Sequence, residues 1–338
     1  MKVWKLSAAN TLVEQNEDLP VTLQEKEIKV KVTQLLLTEQ DYHTYAGDIA
    51  IEYPRIPVRC AIGRIIDGYD KFGLEKNARV FLQDNKKCHT CQNCITDDED
   101  CLNLKTAGVD YDGYLREFLI TDYDSSFILP AQITDKAALF ISPLSLCLEV
   151  VDSLEIEIGT QVLIAGANYL GILLAQILIY KKAIPILVDS SPKNLELAKQ
   201  AGVYYTFLDD ENLLTNLKNI SHGRFITKSV FTNNCTLNPN FVQHLTSYGG
   251  LIVFAGFYFD EMSVSIKALH DKGITLVSIK NGSKNKENAI NLLANKMIDV
   301  SLFPTLIEPI KNIEKTYTYA LSQLKNHEVV LSIIDMLE

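Results

Sequence analysis

Four cysteines in one short polar loop have the type and spacing of metal ligands. They are Cys88, Cys91, Cys94 and Cys101, which read Cys-x2-Cys-x2-Cys-x6-Cys. Gaps of two residues let neighbouring thiolates converge on one point, and a fourth ligand a short loop later closes a tetrahedron around Zn²⁺. A site with four sulfur ligands has no open position for a substrate. The spacing therefore predicts one structural zinc ion per chain.

Two other interpretations of this loop compete with zinc. The thiols could stay unpaired or form disulfides, and His89 could compete as a ligand, although its neighbour Cys88 fits the spacing better. The first residues, MKVWKLSAANTLVEQ, lack the basic and apolar regions of a secretion signal, so we expect a cytoplasmic protein. A reducing cytoplasm favours zinc over disulfides. The acidic residues 97–100 lie in the same loop, which has little apolar material to fold without a metal.

A glycine-rich turn forms a second group of candidate site residues, and its pattern is typical of a dinucleotide-binding site. It reads Gly166-Ala-Asn168-Tyr-Leu-Gly171 after an apolar strand, which is G-x-G-x-x-G with Asn168 in place of the middle glycine. That glycine lets the backbone approach the pyrophosphate at the helix N-terminus, whereas Asn168 places an amide on that path. Asp189 closes the next strand, where a carboxylate accepts the ribose hydroxyls and repels a 2′-phosphate. We therefore expect NAD(H) rather than NADP(H), with the alternative that the domain has lost its nucleotide.

The elements that position these groups change character near residue 140. Before it, short alternating strands are broken by glycines, and after it strands alternate with helices, which predicts an α/β fold with a parallel sheet and right-handed crossovers. The length of 338 residues suggests about two domains. The net charge of −10 argues against nucleic acid and anionic membranes as partners, and no apolar run is long enough to span a bilayer. A small-molecule substrate is the partner we expect.

Together these features resemble the medium-chain, zinc-containing alcohol dehydrogenase family over nearly the whole chain. The supporting segments are the four-cysteine lobe, Asp41-Tyr42-His43, Ile56-Pro57, Ala61-Ile62-Gly63, residues 108–113, the nucleotide turn, Gly249-Gly250 and Asn281-Gly282-Ser283. The resemblance implies a GroES-like, β-rich catalytic domain from residues 1–139 and 280–338, with a zinc lobe at about 86–104. It also implies a doubly wound Rossmann domain from 140–279, and homodimers or homotetramers formed through it.

The chain departs from this family at the catalytic zinc. The resemblance places the three ligand positions at Thr38, Arg59 and Ser142, where the family has cysteine, histidine, and an acid or cysteine. None of these three side chains is a usual zinc ligand, and Cys60 beside Arg59 does not make a three-ligand site alone. The sequence therefore predicts that no zinc is held there.

The replacements suggest candidate catalytic residues. Asp41 corresponds to a carboxylate that supports the histidine ligand in the family, so a charge-assisted pair with Arg59 is expected. Arg59 would then leave a fixed positive charge beside a substrate carbonyl, acting as an electrostatic stabiliser because arginine cannot supply a proton. His43 matches a histidine that relays protons in many relatives. The alternative is that Asp41 and Arg59 form only a structural salt bridge.

Three functions remain open on the sequence alone. The first is NAD(H)-dependent hydride transfer to or from a small carbonyl, alcohol or activated alkene without catalytic zinc. The second is a catalytically inactive pseudoenzyme that acts as a binding or scaffold protein. The third is a nucleotide-sensing protein that uses Asp189 but performs no turnover.

Overall fold

The structure, a computed structural model, describes residues 1–20, 22–96, 101–233, 235–256 and 262–337. The acidic residues 97–100 singled out in the sequence lie outside the described residues. No helix within the described residues has the length and apolar character needed to cross a membrane.

The secondary structure changes from mainly strands to alternating strands and helices along the chain. The strands are β1 Lys2–Ala8, β2 Thr11–Asn16, β3 Glu27–Leu37, β4 Cys60–Asp67, β5 Arg79–Leu82, β6 Asn85–Lys86, β7 Lys105–Thr106, β8 Phe118–Asp122, β9 Ser126–Ile128, β10 Gln161–Ala165, β11 Ile184–Asp189, β12 Tyr205–Leu208, β13 Ile226–Thr232, β14 Thr246–Ala255, β15 Thr275–Ile279, β16 Thr305–Pro309 and β17 Leu331–Asp335. The α-helices are α1 Glu39–Ala46, α2 Gln92–Ile95, α3 Asp135–Ala138, α4 Ile141–Ser153, α5 Tyr169–Tyr180, α6 Pro192–Gln200, α7 Leu213–Ile220, α8 Pro239–Leu245, α9 Ile266–Lys272, α10 Lys286–Ala294 and α11 Ile313–Leu324. Short 3₁₀ turns lie at Tyr69–Phe72, Tyr123–Ser125 and Ile310–Asn312.

The chain divides into two compact units, and unit 1 is the β-rich one. It contains Met1–Ser142, Pro304–Leu324 and Val330–Glu338. Its main sheet has the order β16-β17-β3-β4-β5-β9, with β8 also paired to β3. Strand β3 alternates buried and partly buried residues along its first half, as expected of a strand with one face in the core. Both chain ends therefore build one sheet, as the resemblance implied.

Unit 2 is a doubly wound parallel domain made of Pro143–Phe303 and Lys325–Val329. Its six strands are parallel in the order β12-β11-β10-β13-β14-β15. Strand β10 is an apolar run that is almost wholly buried, which is typical of a parallel strand covered on both faces. Helix α6 begins with Ser191 as N-cap and Pro192 at the first position, two standard start signals. The predicted α/β class with a Rossmann sheet is confirmed.

The boundary between the units differs from the predicted one after residue 279. Residues 280–303, which the sequence analysis assigned to the catalytic domain, group with unit 2. Polar contacts explain this: Asn285 Nδ2 donates to Asp152 at 3.1 Å, and the Asp299 N–H donates to Gln176 at 2.7 Å. The Ser145 hydroxyl also donates to the Gly282 carbonyl. The sequence contains no signal for these long-range bonds.

Candidate functional site

The four predicted zinc ligands come together in the structure. Cys94 lies on α2, Cys91 is the N-cap of that helix, and Cys88 and Cys101 flank it. Their four sulfur atoms lie within 4.8 Å of one another, with Cys88 Sγ 3.6 Å from Cys101 Sγ and 3.9 Å from Cys94 Sγ. A tetrahedron with Zn–S bonds of about 2.3 Å places its sulfurs about 3.8 Å apart. The cluster therefore fits a zinc ion, and its cysteines are not joined by disulfides.

Backbone donors around the cluster favour thiolate. The N–H groups of Cys91 and Cys88 donate to the sulfurs of Cys88 and Cys101, each at 3.3 Å. Hydrogen bonds from Thr90, its backbone N–H first, lower the pKa of Cys88 to about 5. Desolvation and the neighbouring thiols instead raise the pKa of Cys94 to about 12. A dication, when bound, would stabilise all four sulfurs as thiolates.

The turn after β10 keeps the backbone geometry of a dinucleotide turn. Gly166 has φ of 100°, a left-handed conformation that favours glycine. A Cβ at this position would collide with the Thr232 hydroxyl, and one at Gly171 would collide with the carbonyl oxygen of Gly166. Both glycines are thus required for the close packing of strand and helix, as the motif predicts.

Asn168 has a role that the sequence analysis did not recognise. Its backbone is extended, with φ of −71°, so this position does not require glycine. It is the N-cap of α5: Oδ1 accepts from the Gly171 N–H at 3.0 Å, and Nδ2 donates to the Asn233 carbonyl at 2.6 Å. The amide is thus engaged in internal hydrogen bonds and turned towards its own helix. The Asn-x-x-Gly spacing before an apolar run is the capping signal that could have revealed this role.

Asp189 lies at the end of β11, as predicted, and organises the glycine turn. Its Oδ2 accepts from the Ala167 N–H at 2.6 Å, and its Oδ1 accepts from the Ser191 N–H at 2.7 Å and from Asn194 Nδ2 at 3.3 Å. Burial raises the pKa of this carboxyl, while these hydrogen bonds and the charge of His327 oppose the rise. A carboxylate has about four acceptor positions, so capacity for a ribose hydroxyl remains.

Asn194 adds a contact that the sequence did not reveal. Its Nδ2 donates to the His327 carbonyl at 2.7 Å, and its Oδ1 accepts from the Val329 N–H at 3.2 Å. Lys193 forms an ion pair with Glu328 at 2.6 Å on the same side of α6. These contacts explain why Lys325–Val329, far along the chain, belongs to unit 2.

In unit 1, the first replaced ligand position belongs to a helix cap. Thr38 is the N-cap of α1, and its N–H and hydroxyl both donate to Asp41 Oδ2 at 2.8 Å. Asp41 also accepts a hydrogen bond from the backbone of Arg59. Burial raises the pKa of Asp41, and the positive charge of Arg59 opposes the rise. The Thr-x-x-Asp spacing is a capping-box signal that sequence reasoning passed over.

The other two ligand positions meet at a residue missed by the sequence analysis. Arg59 Nη1 lies 3.8 Å from Asp84 Oδ2, and the Ser142 hydroxyl donates to the same oxygen. Asp84 is 1% exposed and Arg59 7%. The sequence predicted an ion pair between the side chains of Arg59 and Asp41, and the structure differs. The Arg59 side chain forms its ion pair with Asp84, and the Arg59 backbone N–H donates to the Asp41 carboxylate. Nothing in the local sequence marks Asp84, because it comes from the end of another strand.

A strained backbone bend at Val58 lies directly before Arg59. Val58 has φ of 72°, which is rare for a β-branched residue, and it is buried. The Val58 carbonyl accepts from the Tyr114 N–H at 2.8 Å. A Cβ on Gly113 would collide with the Val58 carbonyl, and one on Gly108 would come within 2.9 Å of the Val58 nitrogen. Gly108 and Gly113, which lie in the segment 108–113 that supports the resemblance, therefore pack closely against this bend.

His43 lies in the last turn of α1. Its Nδ1 is 2.7 Å from Asp48 Oδ2, and its side chain is 15% exposed. An Nδ1–H···carboxylate bond fixes the tautomer and leaves Nε2 as the proton acceptor. This orientation is compatible with the predicted relay, whose role stays a prediction.

Comparison with known proteins finds one matching domain family and relatives over most of the chain. Residues 24–131 match the family described as alcohol dehydrogenase GroES-like domain. L-galactonate-5-dehydrogenase of Escherichia coli is 24% identical over 96% of this chain and 95% of its own length. An uncharacterized zinc-type alcohol dehydrogenase-like protein of Haemophilus influenzae is 23% identical over 82% of each chain.

Solved structures agree in fold over almost the whole chain. An alcohol dehydrogenase of Escherichia coli CFT073 complexed with NADH has a TM-score of 0.86 at 21% identity and covers 99% of both chains. L-idonate 5-dehydrogenase of Escherichia coli has a TM-score of 0.87 at 18% identity, with 99% of this chain and 98% of that chain covered. A zinc-binding dehydrogenase of Sinorhizobium meliloti bound to NADP scores 0.85 at 17% identity, with the same coverage.

The chain resembles the medium-chain dehydrogenase/reductase family, which includes the zinc-type alcohol dehydrogenases, over nearly its whole length, and residues 24–131 match the GroES-like domain. The relatives and structural neighbours support an oxidoreductase of the zinc-type alcohol or polyol dehydrogenase kind. They also support zinc and a nicotinamide nucleotide as the cofactors of this kind of protein.

Proposed function

We propose that this protein is an NAD(H)-dependent oxidoreductase that transfers hydride to or from a small carbonyl, alcohol or activated alkene without catalytic zinc. The observation that carries the proposal is the retained geometry of the nucleotide turn. Gly166 and Gly171 hold the strand and helix together, Asn168 caps α5 internally, and Asp189 lies at the end of β11.

The residues of unit 2 fit a dinucleotide. The N-terminus of α5 would hold the pyrophosphate, because backbone N–H groups and the helix dipole favour an anion there. Asp189 would accept the adenosine ribose hydroxyls and repel a 2′-phosphate. The nicotinamide, when bound, supplies or accepts the hydride.

Arg59 is the residue of unit 1 that we propose acts on the reacting oxygen. Asp84 and the backbone contact with Asp41 fix the position of its side chain, so its charge needs little reorganisation as negative charge develops on that oxygen. Asp41 supports the segment that carries Arg59. His43, oriented by Asp48, would move the balancing proton. The metal cluster Cys88, Cys91, Cys94 and Cys101 would hold one structural zinc ion and take no part in the reaction.

A catalytically inactive binding protein is the second candidate, and two observations favour it. The charge of Arg59 is already matched by a buried partner, Asp84. Both oxygens of Asp189 already accept internal hydrogen bonds. Buried ion pairs of this kind also occur in proteins without catalysis.

Calorimetric titration with NADH and NADPH tests the proposal directly. We expect NADH to bind and NADPH to bind more weakly. Tight binding of NADPH would contradict the role of Asp189, and no binding of either at about 1 mM, a free energy weaker than about −4 kcal/mol, would favour the inactive protein. Oxidation of NADH in the presence of small carbonyl compounds then separates an enzyme from a nucleotide sensor.

We also propose that the protein forms homodimers or homotetramers through the Rossmann sheet. Strand β15 lies at one edge of that sheet and its residues are half-buried or exposed. An unpaired strand edge is a ready surface for pairing with a second copy. Light scattering on the purified protein should give a mass of two or four chains, and a monomer would contradict this proposal.

A further inference from the structure

The segment Lys325–Val329 brings a histidine to the adenosine end of the proposed nucleotide site. Asn194 Nδ2 donates both to Asp189 Oδ1, at 3.3 Å, and to the carbonyl of His327, at 2.7 Å. One amide therefore bridges the carboxylate and the backbone of His327. The bond from the Val329 N–H to Asn194 Oδ1 holds the segment from its other side.

His327 is exposed, and within the described part of the chain no carboxylate forms an ion pair with its imidazole. Lys193 is already paired with Glu328. Among the described residues, Asp209 and the Cys235 thiol lie near Asp189, and the segment itself carries Lys325 and Glu328.

We infer that His327 is a second determinant of nucleotide choice, which offsets the repulsion between Asp189 and a 2′-phosphate when its imidazole is protonated. This inference rests on the proposed binding of NAD(H). Its geometric basis is independent of that proposal, because Asn194 joins the Asp189 carboxylate to the backbone of His327. Burial raises the pKa of Asp189, and the charge of His327 is one of the effects that oppose the rise.

The physical consequence is a nucleotide preference that depends on pH. A 2′-phosphate beside Asp189 is disfavoured by like-charge repulsion, and a cation at the same ribose reverses part of that effect. Histidine is the side chain whose charge changes between about pH 5 and pH 8. The affinity for NADPH relative to NADH should therefore rise as the pH falls. Both nucleotides share the pyrophosphate, so their ratio isolates the 2′-phosphate.

The test is calorimetric titration of the full chain with NADH and NADPH at about pH 5.5 and pH 8. For the natural protein we expect the ratio of NADPH to NADH affinity to be about fivefold higher at the lower pH than in His327→Gln. His327→Arg keeps the charge at all pH values, so it should raise this ratio about fivefold at pH 8. Protonation of the 2′-phosphate itself contributes equally to all three proteins.

His222→Gln is the matched control. His222 is also exposed and left-handed, with φ of 50° against 54° for His327. It follows α7 and precedes β13, so it lies by the N-terminal ends of the parallel strands, whereas Asp189 lies at the C-terminal end of β11. It should leave the ratio unchanged. Equal pH dependence in the natural protein and His327→Gln would overturn the inference, whereas failure to bind either nucleotide would overturn the proposed function instead.

Discussion

Two regions of unit 1 fall where the resemblance to zinc-type alcohol dehydrogenases places metal sites, and they carry residues of opposite kinds. The lobe keeps four sulfur atoms within 4.8 Å of one another, while the catalytic positions carry Thr38, Arg59 and Ser142. In the lobe, the sequence offers little apolar material around the four cysteines, so we expect a metal to be the main source of its stability. At the catalytic positions, buried carboxylates and a guanidinium occupy the same wall and bond to each other. The buried contacts at the catalytic positions need no metal to hold them together, whereas the four cysteines of the lobe have the composition of a metal site.

The largest effect that would test this contrast is removal of the lobe's metal. We expect about one zinc per chain, and Cys94→Ser should release it and unfold the lobe without abolishing the Rossmann fold, because structural zinc contributes about 10–16 kcal/mol in small domains. Metal analysis with thermal unfolding measures both outcomes. Cys235→Ser, which changes a thiol outside the cluster, is the control and should keep the zinc. Two zinc ions per chain would contradict our interpretation of the catalytic positions.

A double-mutant cycle on Arg59 and Asp84 tests whether the buried pair has taken over the metal's place. Each single change, Arg59→Met or Asp84→Leu, should cost about 3–5 kcal/mol, because it leaves a buried charge without its partner. The double variant should cost clearly less than the sum of the two. Denaturant unfolding gives all three values. Additive costs would mean that the pair does not act as a unit.

The same Arg59→Met variant separates a catalytic from a structural role. If Arg59 stabilises the reacting oxygen, turnover should fall about 10²-fold while the affinity for NADH stays unchanged. If the pair is only structural, the folded fraction of the variant should keep the natural turnover. Ser142→Ala, which removes only one hydrogen bond to Asp84, is the matched control.

A smaller effect tests the cap in the nucleotide turn. Asn168→Ala should cost about 1–2 kcal/mol, and Asn168→Gly less, because glycine is the better N-cap of the two. Ser191→Ala, at the N-cap of α6, should show a similar cost and serves for comparison. The affinity of Asn168→Gly for NADH should equal or exceed that of the natural protein. A marked loss of affinity would show that the Asn168 amide contacts the pyrophosphate.

The smallest expected effect concerns Asp41 and pH. Burial raises the pKa of Asp41, so this carboxyl stabilises the fold most when it is protonated, and that stabilisation is lost as the pH rises from about 4. The natural protein should therefore lose stability relative to Asp41→Asn between about pH 4 and pH 7. The free energy of unfolding of both proteins across this range provides the measurement. Loss of zinc at low pH affects both equally and cancels, and a difference of opposite sign would mean that Arg59 outweighs burial.

Local spacing made much of this structure predictable. The cysteine lobe depends on gaps of two and six residues, and the nucleotide turn depends on a six-residue motif between a strand and a helix. The contacts that escaped prediction join distant parts of the chain, such as Asp84 with Arg59 and Asn194 with His327. The residues in each of these contacts are close because of the order of the strands in the sheets. The types of residue along the sequence do not reveal that order. The capping role of Asn168 escaped prediction for a different reason, because the same residue type can act as an obstacle to a phosphate and as a helix cap.

The bend at Val58 has a consequence for how exchanges of the Arg59 side chain are tolerated. A β-branched residue in a left-handed conformation costs on the order of 1–3 kcal/mol, yet the turn persists because Gly108 and Gly113 pack closely against it. The backbone that leads into residue 59 is therefore held by contacts that do not involve the Arg59 side chain. Exchanges of that side chain should change the charge of the site while the main chain keeps its course, so chemistry and backbone at this position can vary independently.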